Sequence, residues 1–184
     1  SSGFGGPMLG SLGEPAGCKI FTIDNTDIKW YFKPTQFSAE EQFRCFDMNS
    51  VRDYFATNGE VKVFLDHFPK RTNYAEWEQD NSVMIHVWDW APDWKIEVTE
   101  NGKPLEVVRK KAENPQMIVG LDIPNTVWLI KFDKKNNKRK LHPHMFHVVA
   151  SAADTPIEVT VTDSFGKQYR QTMERPKSFS VHMK

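Results

Sequence analysis

Apolar and polar residues alternate with a period of two along most of the chain, which is the pattern of β-strands that turn one face to a core. Clusters of Gly, Asn, Asp, Ser and Pro separate the alternating runs at short intervals. The predicted strands cover residues 19–23, 28–33, 42–47, 61–66, 83–88, 94–99, 104–108, 127–132, 145–151, 157–163 and 167–172. This spacing predicts an all-β fold, an antiparallel β-sandwich or partly open barrel with one or two short helices.

Three polar turns join neighbouring predicted strands. The segments DNTD (24–27) and DSFG (163–166) connect the first pair and the last pair. The segment ENGK (100–103) contains an Asn-Gly pair, which readily takes the positive φ values of tight hairpins. A short helix is predicted after Ser50, and residues 38–41 have the S-x-x-E spacing of a capping box.

The chain predicts one folded unit. Residues 1–17 are rich in glycine and read as an irregular lead-in, and residues 18–184 as a single all-β domain. The sequence starts at Ser1 without a methionine or the apolar stretch of a signal peptide. We therefore expect it to be a piece of a longer protein.

Composition narrows the classes of partner. The 184 residues carry a formal net charge of zero with a pI near 7.0, which gives no electrostatic reason to expect nucleic acid or an anionic membrane surface as a partner. No run of about 18 apolar residues predicts a membrane span. The basic run at 134–140 is interpreted as a solvated loop. We expect Cys18 and Cys45 to be two buried thiols in preference to a disulfide.

The segment LHPHMFH (141–147) is the best metal candidate, because it places three imidazoles within six residues. On a strand, His142 and His144 share one face and His147 points to the other. The three side chains converge only if the chain bends at Pro143. We favour packed or solvated histidines and keep a metal site built from these three residues as the alternative.

Three tryptophans lie in the segment VMIHVWDWAPDWKIEV (83–98). Residues 83–87 are apolar on both alternating faces, as expected for a central strand that is covered on both sides. Trp88 and Trp94 are therefore predicted to pack in the core. Trp90 follows the strand beside a turn and stays open as a surface or interface residue. With Trp77 and Trp30, it is a candidate platform for stacking on a glycan.

The chain resembles a known family in several stretches. They are VWDWAPDWKIEVTENGKPLEVVR, HMFHVVAS and VTVTDSFGKQYRQTMERPKSF, with IDNTDIKWYFKPT and QFRCFDMNSV before them. Together they are similar to the C-terminal domain of bacterial calcineurin-like phosphoesterases, which are common in gut Bacteroidetes. The resemblance spans roughly residues 18–180 and is weaker in the glycine-rich lead-in.

The resemblance implies that the chemistry belongs to a preceding catalytic domain. That domain holds two divalent metal ions through D-x-H, G-D, G-N-H-D/E and G-H-x-H motifs, and the first three are absent from this sequence. His142-Pro143-His144 echoes the last motif, but Leu141 stands where glycine belongs. No catalytic residue is therefore carried over, and no cofactor is expected in this chain.

The resemblance thus implies a non-catalytic accessory domain of an exported enzyme, located in the periplasm or at the cell surface. It would pack on the catalytic domain of the same polypeptide and help to shape the substrate cleft. Two other hypotheses stay open. One is a carbohydrate-binding module that uses exposed tryptophans, and the other is a stand-alone metalloenzyme built around His142, His144 and His147.

Overall fold

The computed structural model describes residues 8–133 and 138–181. Strands dominate this part of the chain, pair antiparallel in three sheets and form no closed barrel, which confirms the predicted all-β, sandwich-like domain. The strands are β1 (Gly17–Asp24), β2 (Asp27–Pro34), β3 (Phe43–Asp47), β4 (Ser82–Val87), β5 (Lys95–Glu100), β6 (Lys103–Pro104), β7 (Val108–Arg109), β8 (Met145–Val149), β9 (Ile157–Thr162) and β10 (Gln168–Met173).

Two four-stranded sheets form the body of the domain. One has the strand order β3-β4-β8-β7, and the other has the order β10-β9-β5-β6. The inner faces meet in an apolar core that contains Ile85 of β4, Val159 of β9 and Tyr169 of β10. Alternation along each strand places these side chains between the sheets. The pair β1–β2 forms a separate hairpin.

A helical layer covers the outer face of the sheet that contains β4. It includes α1 (Met48–Thr57), α2 (Gly59–His67) and a three-residue helix, α3 (Pro115–Met117), which continues as π-helical turns Ile118–Asp122 and Pro124–Trp128. Met84 on β4 packs in a second apolar core with Phe64 of α2. All six residues of β4 are buried, which confirms the prediction of a central strand covered on both sides.

The predicted strand at 61–66 is wrong, because this segment lies in α2. Asn58 caps the helix, and its side-chain oxygen accepts hydrogen bonds from the backbone N–H groups of Glu60 and Val61. Val61 and Phe64 are buried and lie three residues apart, which is helical spacing. The helix predicted after Ser50 exists as α1, but it begins earlier, at an Asp47 cap.

The predicted strand at 127–132 is also wrong. Pro124 starts the second π-helical turn, and residues 124–133 form no strand. Ile130 has a φ of 52° and is 79% exposed, and Trp128 is 43% exposed. The apolar character of this segment therefore does not reflect burial in a sheet.

The predicted hairpin at 94–108 forms only in part. Asn101 and Gly102 both have positive φ values, 50° and 74°, as the predicted turn requires. The returning strand β6 has two residues, and the chain then crosses to the other sheet, where β7 pairs with β8. This crossing links the two sheets close to their edges.

Both cysteines are free thiols, and Cys45 is buried while Cys18 is exposed on the hairpin. The expectation of two buried thiols is therefore wrong for Cys18. Its strand β1 alternates like a core strand but has no sheet packed against it within the described residues.

A buried ion cluster fixes the helical layer. The guanidinium of Arg71 lies 2.7 Å from Glu113 Oε1 and 2.5 Å from Asp122 Oδ2, and Lys140 Nζ lies 2.6 Å from Asp122 Oδ1. Burial alone would raise the pKa of Glu113, but the backbone N–H of Lys140, the charge of Arg71 and the hydrogen bonds of Thr72 lower it. No helix of the described chain has the length and apolar content needed to cross a membrane.

Replacing Ile85 by alanine should destabilise the domain by about 2–5 kcal/mol, because it empties space between the two sheets. The measurement is the free energy of unfolding in urea. Val149→Ala on β8 is the control, since Val149 is 41% exposed and its loss should change stability by less than about 0.5 kcal/mol. Equal effects of both substitutions would contradict the two-sided burial of the central sheet.

Candidate functional site

The three histidines of the predicted metal candidate do not converge. The rings of His142 and His144 lie 4.9 Å apart between centroids, whereas His147 packs 5.7 Å from Trp77. The structure instead brings His86, from the C-terminal end of β4, against His142. Within residues 8–133 and 138–181, no group of three or more His, Cys, Asp or Glu side chains has the arrangement of a metal site.

His86 and His142 form a buried imidazole pair with their Nε2 atoms 3.0 Å apart. His86 is 0% exposed and His142 is 3% exposed. The two residues are joined through the sheet, because β4 carries His86 and His142 precedes β8, which pairs with β4. His142 also forms an isolated bridge with Ala112, just before α3.

Fixed donors face the Nδ1 atoms of both rings. Asn114 caps α3, and its Oδ1 accepts hydrogen bonds from the backbone N–H groups of Gln116 and Met117. This orients the Asn114 Nδ2 towards His86 Nδ1, at 2.9 Å. The backbone N–H of His144 donates to His142 Nδ1 at 3.0 Å. Each neutral ring therefore carries its proton on Nε2.

The Nε2–H groups of the two rings therefore face each other, and neither ring offers the other an acceptor. At least one of these N–H groups needs an acceptor outside the pair. The nearest carboxylate oxygen, Glu14 Oε2, lies 4.0 Å from His142 Nε2, which is beyond hydrogen-bond distance, and it has no hydrogen-bond partner among the described residues. Glu14 lies in a turn of the lead-in, where Gly10 N donates to Glu14 O at 2.6 Å. The turn packs so closely on Asn114 that a Cβ on Gly13 would lie 2.5 Å from that side chain.

The site holds its imidazoles neutral. Burial and, to a smaller extent, the charge of His144 lower the pKa of His142 to about 4. The pKa of His86 also lies well below its ordinary value. Burial is the main cause, and the charges of His142 and Arg44 contribute to the same decrease. Arg44 on β3 donates to Gln116 Oε1 in the same buried network. This arrangement ties β3, β4 and α3 together through hydrogen bonds, and the lead-in packs against it at Asn114.

Two of the candidate tryptophans are half-buried and covered by cations. The guanidinium of Arg109 lies 4.2 Å from the centroid of Trp90, and Lys110 Nζ lies 4.4 Å from that of Trp77. Trp77 Nε1 donates to Ser82 Oγ at 2.8 Å. These contacts occupy ring faces that a sugar would need for stacking. Trp88 is buried as predicted, while Trp94 is only partly buried on the core between the sheets.

The third candidate, Trp30, belongs to an exposed apolar face of the hairpin β1–β2. The register pairs Phe21 with Trp30 and Ile23 with Ile28, so these four side chains stand on one face. Ile23 is 69% exposed, Phe21 56% and Ile28 51%. We call this set, Phe21, Ile23, Ile28 and Trp30, the hairpin face. Contiguous exposed apolar groups of this kind mark sites of interaction.

The base of the hairpin is anchored to the sandwich. Gln42 Nε2 donates to the carbonyl of Phe32 at 2.6 Å, and Lys19 Nζ lies 2.9 Å from Asp89 Oδ1. Trp30 makes an edge contact with Phe165 at 4.8 Å between centroids. The hairpin is therefore held in a fixed orientation while its tip projects into solvent.

The basic run lies partly outside the described residues, since Lys134 and Lys135 belong to residues 134–137. In the part that is described, Lys138 and Arg139 are exposed, and Arg139 Nη2 donates to Thr72 Oγ1 at 3.1 Å. Lys140 belongs to the buried ion cluster.

The sequence did not reveal the residues that surround His142. These residues are His86, Asn114 and Glu14, and they lie far from His142 along the chain.

Lowering the pH from about 6.5 to about 4 should destabilise the domain through His142, whose folded pKa lies below its unfolded value. The unfolded chain then binds more protons, and about 1–3 kcal/mol of stability is lost across this window. Urea unfolding at a series of pH values measures the slope. His142→Gln should flatten it, whereas the control His67→Gln removes an exposed histidine and should leave it unchanged. An unaltered slope in His142→Gln would show that the pair does not titrate on unfolding.

Comparison with known proteins identifies the family. A family model described as the C terminal of calcineurin-like phosphoesterase matches residues 7–169. The match begins within the glycine-rich lead-in, earlier than the resemblance that starts near residue 18. No curated protein and no solved structure matches the chain. The chain therefore belongs to the family of C-terminal domains of calcineurin-like phosphoesterases.

Proposed function

We propose that this chain is a non-catalytic accessory domain that packs on the catalytic phosphoesterase domain of the same polypeptide through the hairpin face. The observation that carries the proposal is the exposure of Phe21, Ile23, Ile28 and Trp30 on one side of an anchored hairpin. The partner would cover these side chains and, from this position, help to shape the edge of the substrate cleft.

The family assignment favours this partner over others. A domain at the C-terminal side of a phosphoesterase is preceded by the rest of the enzyme, so the connection enters through the lead-in. The lead-in runs directly into β1 at Gly17. A catalytic domain joined there is held beside the hairpin at a high effective concentration, and even a modest apolar contact is then sufficient for docking.

The physics of the hairpin supports the same conclusion. A two-stranded hairpin is marginally stable in water, and both strands here are largely exposed. Covering apolar surface stabilises an interface by about 25 cal/mol per Å². The anchoring contacts of Phe32 and Lys19 at the base orient the hairpin in advance, which lowers the entropy lost on docking.

The buried imidazole pair supports a structural and not a catalytic role. His86 is fully buried, and its two ring nitrogens contact Asn114 and His142. His142 Nδ1 likewise accepts a hydrogen bond from the backbone N–H of His144. Since the unprotonated nitrogen of each ring already accepts a hydrogen bond, neither ring has a free position from which to take a proton from a substrate. The chemistry in this proposal belongs to the divalent metal pair of the catalytic domain.

The origin of the parent enzyme is part of the same proposal. We infer from the family resemblance an exported bacterial enzyme, of the type common in gut Bacteroidetes, that acts in the periplasm or at the cell surface.

Replacing Phe21 and Ile23 together by serine should weaken the interaction between separately produced catalytic and C-terminal domains by at least about tenfold, because central apolar contacts dominate interfaces. Titration calorimetry measures this affinity. Ile130→Ser is the matched control, since Ile130 is 79% exposed but lies outside the hairpin. Wild-type affinity in the Phe21/Ile23 variant would exclude the hairpin face as the docking surface.

The chain alone should not hydrolyse phosphate esters in the presence of Mn²⁺, whereas the protein that carries both domains should do so. A chromogenic phosphomonoester and a phosphodiester are suitable substrates for this assay. Robust turnover by the 184-residue chain, retained in a His142→Gln variant that folds, would refute the accessory role and reveal a catalytic site elsewhere in it.

A further inference from the structure

A polar cleft opens where the edge strands of the two sheets come together, and the proposed docking does not use it. Its volume is about 180 Å³. Residues at the start of β3 form one wall, Arg170 and Gln171 of β10 form another, and Trp88 and Lys177 complete the lining. Both β3 and β10 are edge strands, so no further strand covers the opening within the described chain.

Two residues that line this cleft each carry a buried polar atom without a partner among the described residues. They are Gln42 Oε1, an acceptor, and Trp88 Nε1, a donor. Gln42 is 0% exposed and Trp88 is 2% exposed. The Gln42 amide is fixed, because its Nε2 donates to the carbonyls of Phe32 and Ala39, so its oxygen is left without a donor. Buried polar groups in folded proteins are almost always paired, which points to a ligand or ordered water here.

The cleft also carries an excess of positive charge. Arg44, Arg170 and Lys177 line it, against the carboxylates of Glu40 and Glu41. Glu40 is already paired with Lys167, at 2.7 Å.

Two of these cations are poorly compensated. Burial lowers the pKa of Arg44 to about 10, and burial together with the charge of Arg44 lowers the pKa of Lys177. Lys177 Nζ makes no ion pair in the part of the chain that the structure describes, although its backbone N–H donates to Asp47 Oδ2 at 3.3 Å. The charge of Glu41 offsets the effect of burial on Arg44 in part, and a bound anion would favour the charged forms of both side chains.

We propose that this cleft binds inorganic phosphate. Lys177, Arg170 and Arg44 supply the positive charge, and Trp88 Nε1 donates to a phosphate oxygen. Gln42 Oε1 accepts the P–O–H proton that phosphate keeps at neutral pH. The proposal is independent of the docking surface and stands whether or not the hairpin face contacts a catalytic domain.

The Gln42 acceptor makes the site selective among oxyanions. Sulfate matches phosphate in size and shape but carries no proton at neutral pH, so it would face Gln42 Oε1 with an unprotonated oxygen. Two acceptors in contact leave both unsatisfied and cost binding free energy. Gln42 Oε1 also disfavours the binding of simple carboxylates, because they too are deprotonated at neutral pH. We therefore expect phosphate to bind at least tenfold more tightly than sulfate.

The test is a titration of the 184-residue chain with sodium phosphate at pH 7, followed through the indole N–H signals in ¹⁵N NMR spectra. The Trp88 signal is assigned by its loss in Trp88→Phe. It should shift in a saturable manner with phosphate and at least tenfold more weakly with sulfate at matched ionic strength. A small monoester such as glycerol phosphate, which is largely dianionic at pH 7 and carries no P–O–H proton, should bind more weakly than inorganic phosphate.

Variants assign the binding to this cleft. Lys177→Gln should weaken phosphate binding at least tenfold and Lys177→Arg should restore it, while Lys103→Gln, on the exposed strand β6, should behave as wild type. Thermal unfolding confirms that each variant is folded. The proposal is overturned if phosphate and sulfate shift Trp88 equally, if the shift does not saturate, or if Lys177→Gln binds as wild type.

Discussion

The domain depends on the burial of β4 on both faces. Alternate residues of this strand enter two different cores: Ile85 packs between the sheets and Met84 packs under the helices. A strand of this kind needs a covering layer on each side, so the second sheet and the helical layer are both required. This explains why a chain with the pattern of a β-sandwich also carries helices along one face.

The helical face of this sheet is not apolar throughout. At one end, His86 and Arg44 replace apolar side chains; Asn114 donates to His86 Nδ1, and Gln116 accepts from Arg44. Buried polar groups cost least when they are bonded, so these two contacts specify one position for α3. The two cores therefore differ. The core between the sheets is held by apolar packing, and the core under the helices is held by apolar packing and by buried hydrogen bonds.

Period-two patterning predicted most of the strands and the two-sided burial of β4, because these features are local. It failed at 61–66, where the alternation of Val61, Val63 and Leu65 fits a strand but the spacing of Val61 and Phe64 also fits a helix, and tertiary packing decides between them. It missed His86 as the partner of His142, because only strand pairing brings them together. It also treated Cys18 as buried, since alternation does not reveal whether a hairpin has a layer above it.

The sheet connections have a consequence for the order of folding. The hairpin β1–β2 pairs residues that are close in sequence, such as Ile23 and Ile28, and can form as soon as they leave the ribosome. The sandwich core must wait, because β5 pairs with β9, for example Lys95 with Thr162, and β10 then closes the edge. Such long-range pairing makes folding slow. During synthesis, the first structure available to an upstream domain is therefore the hairpin.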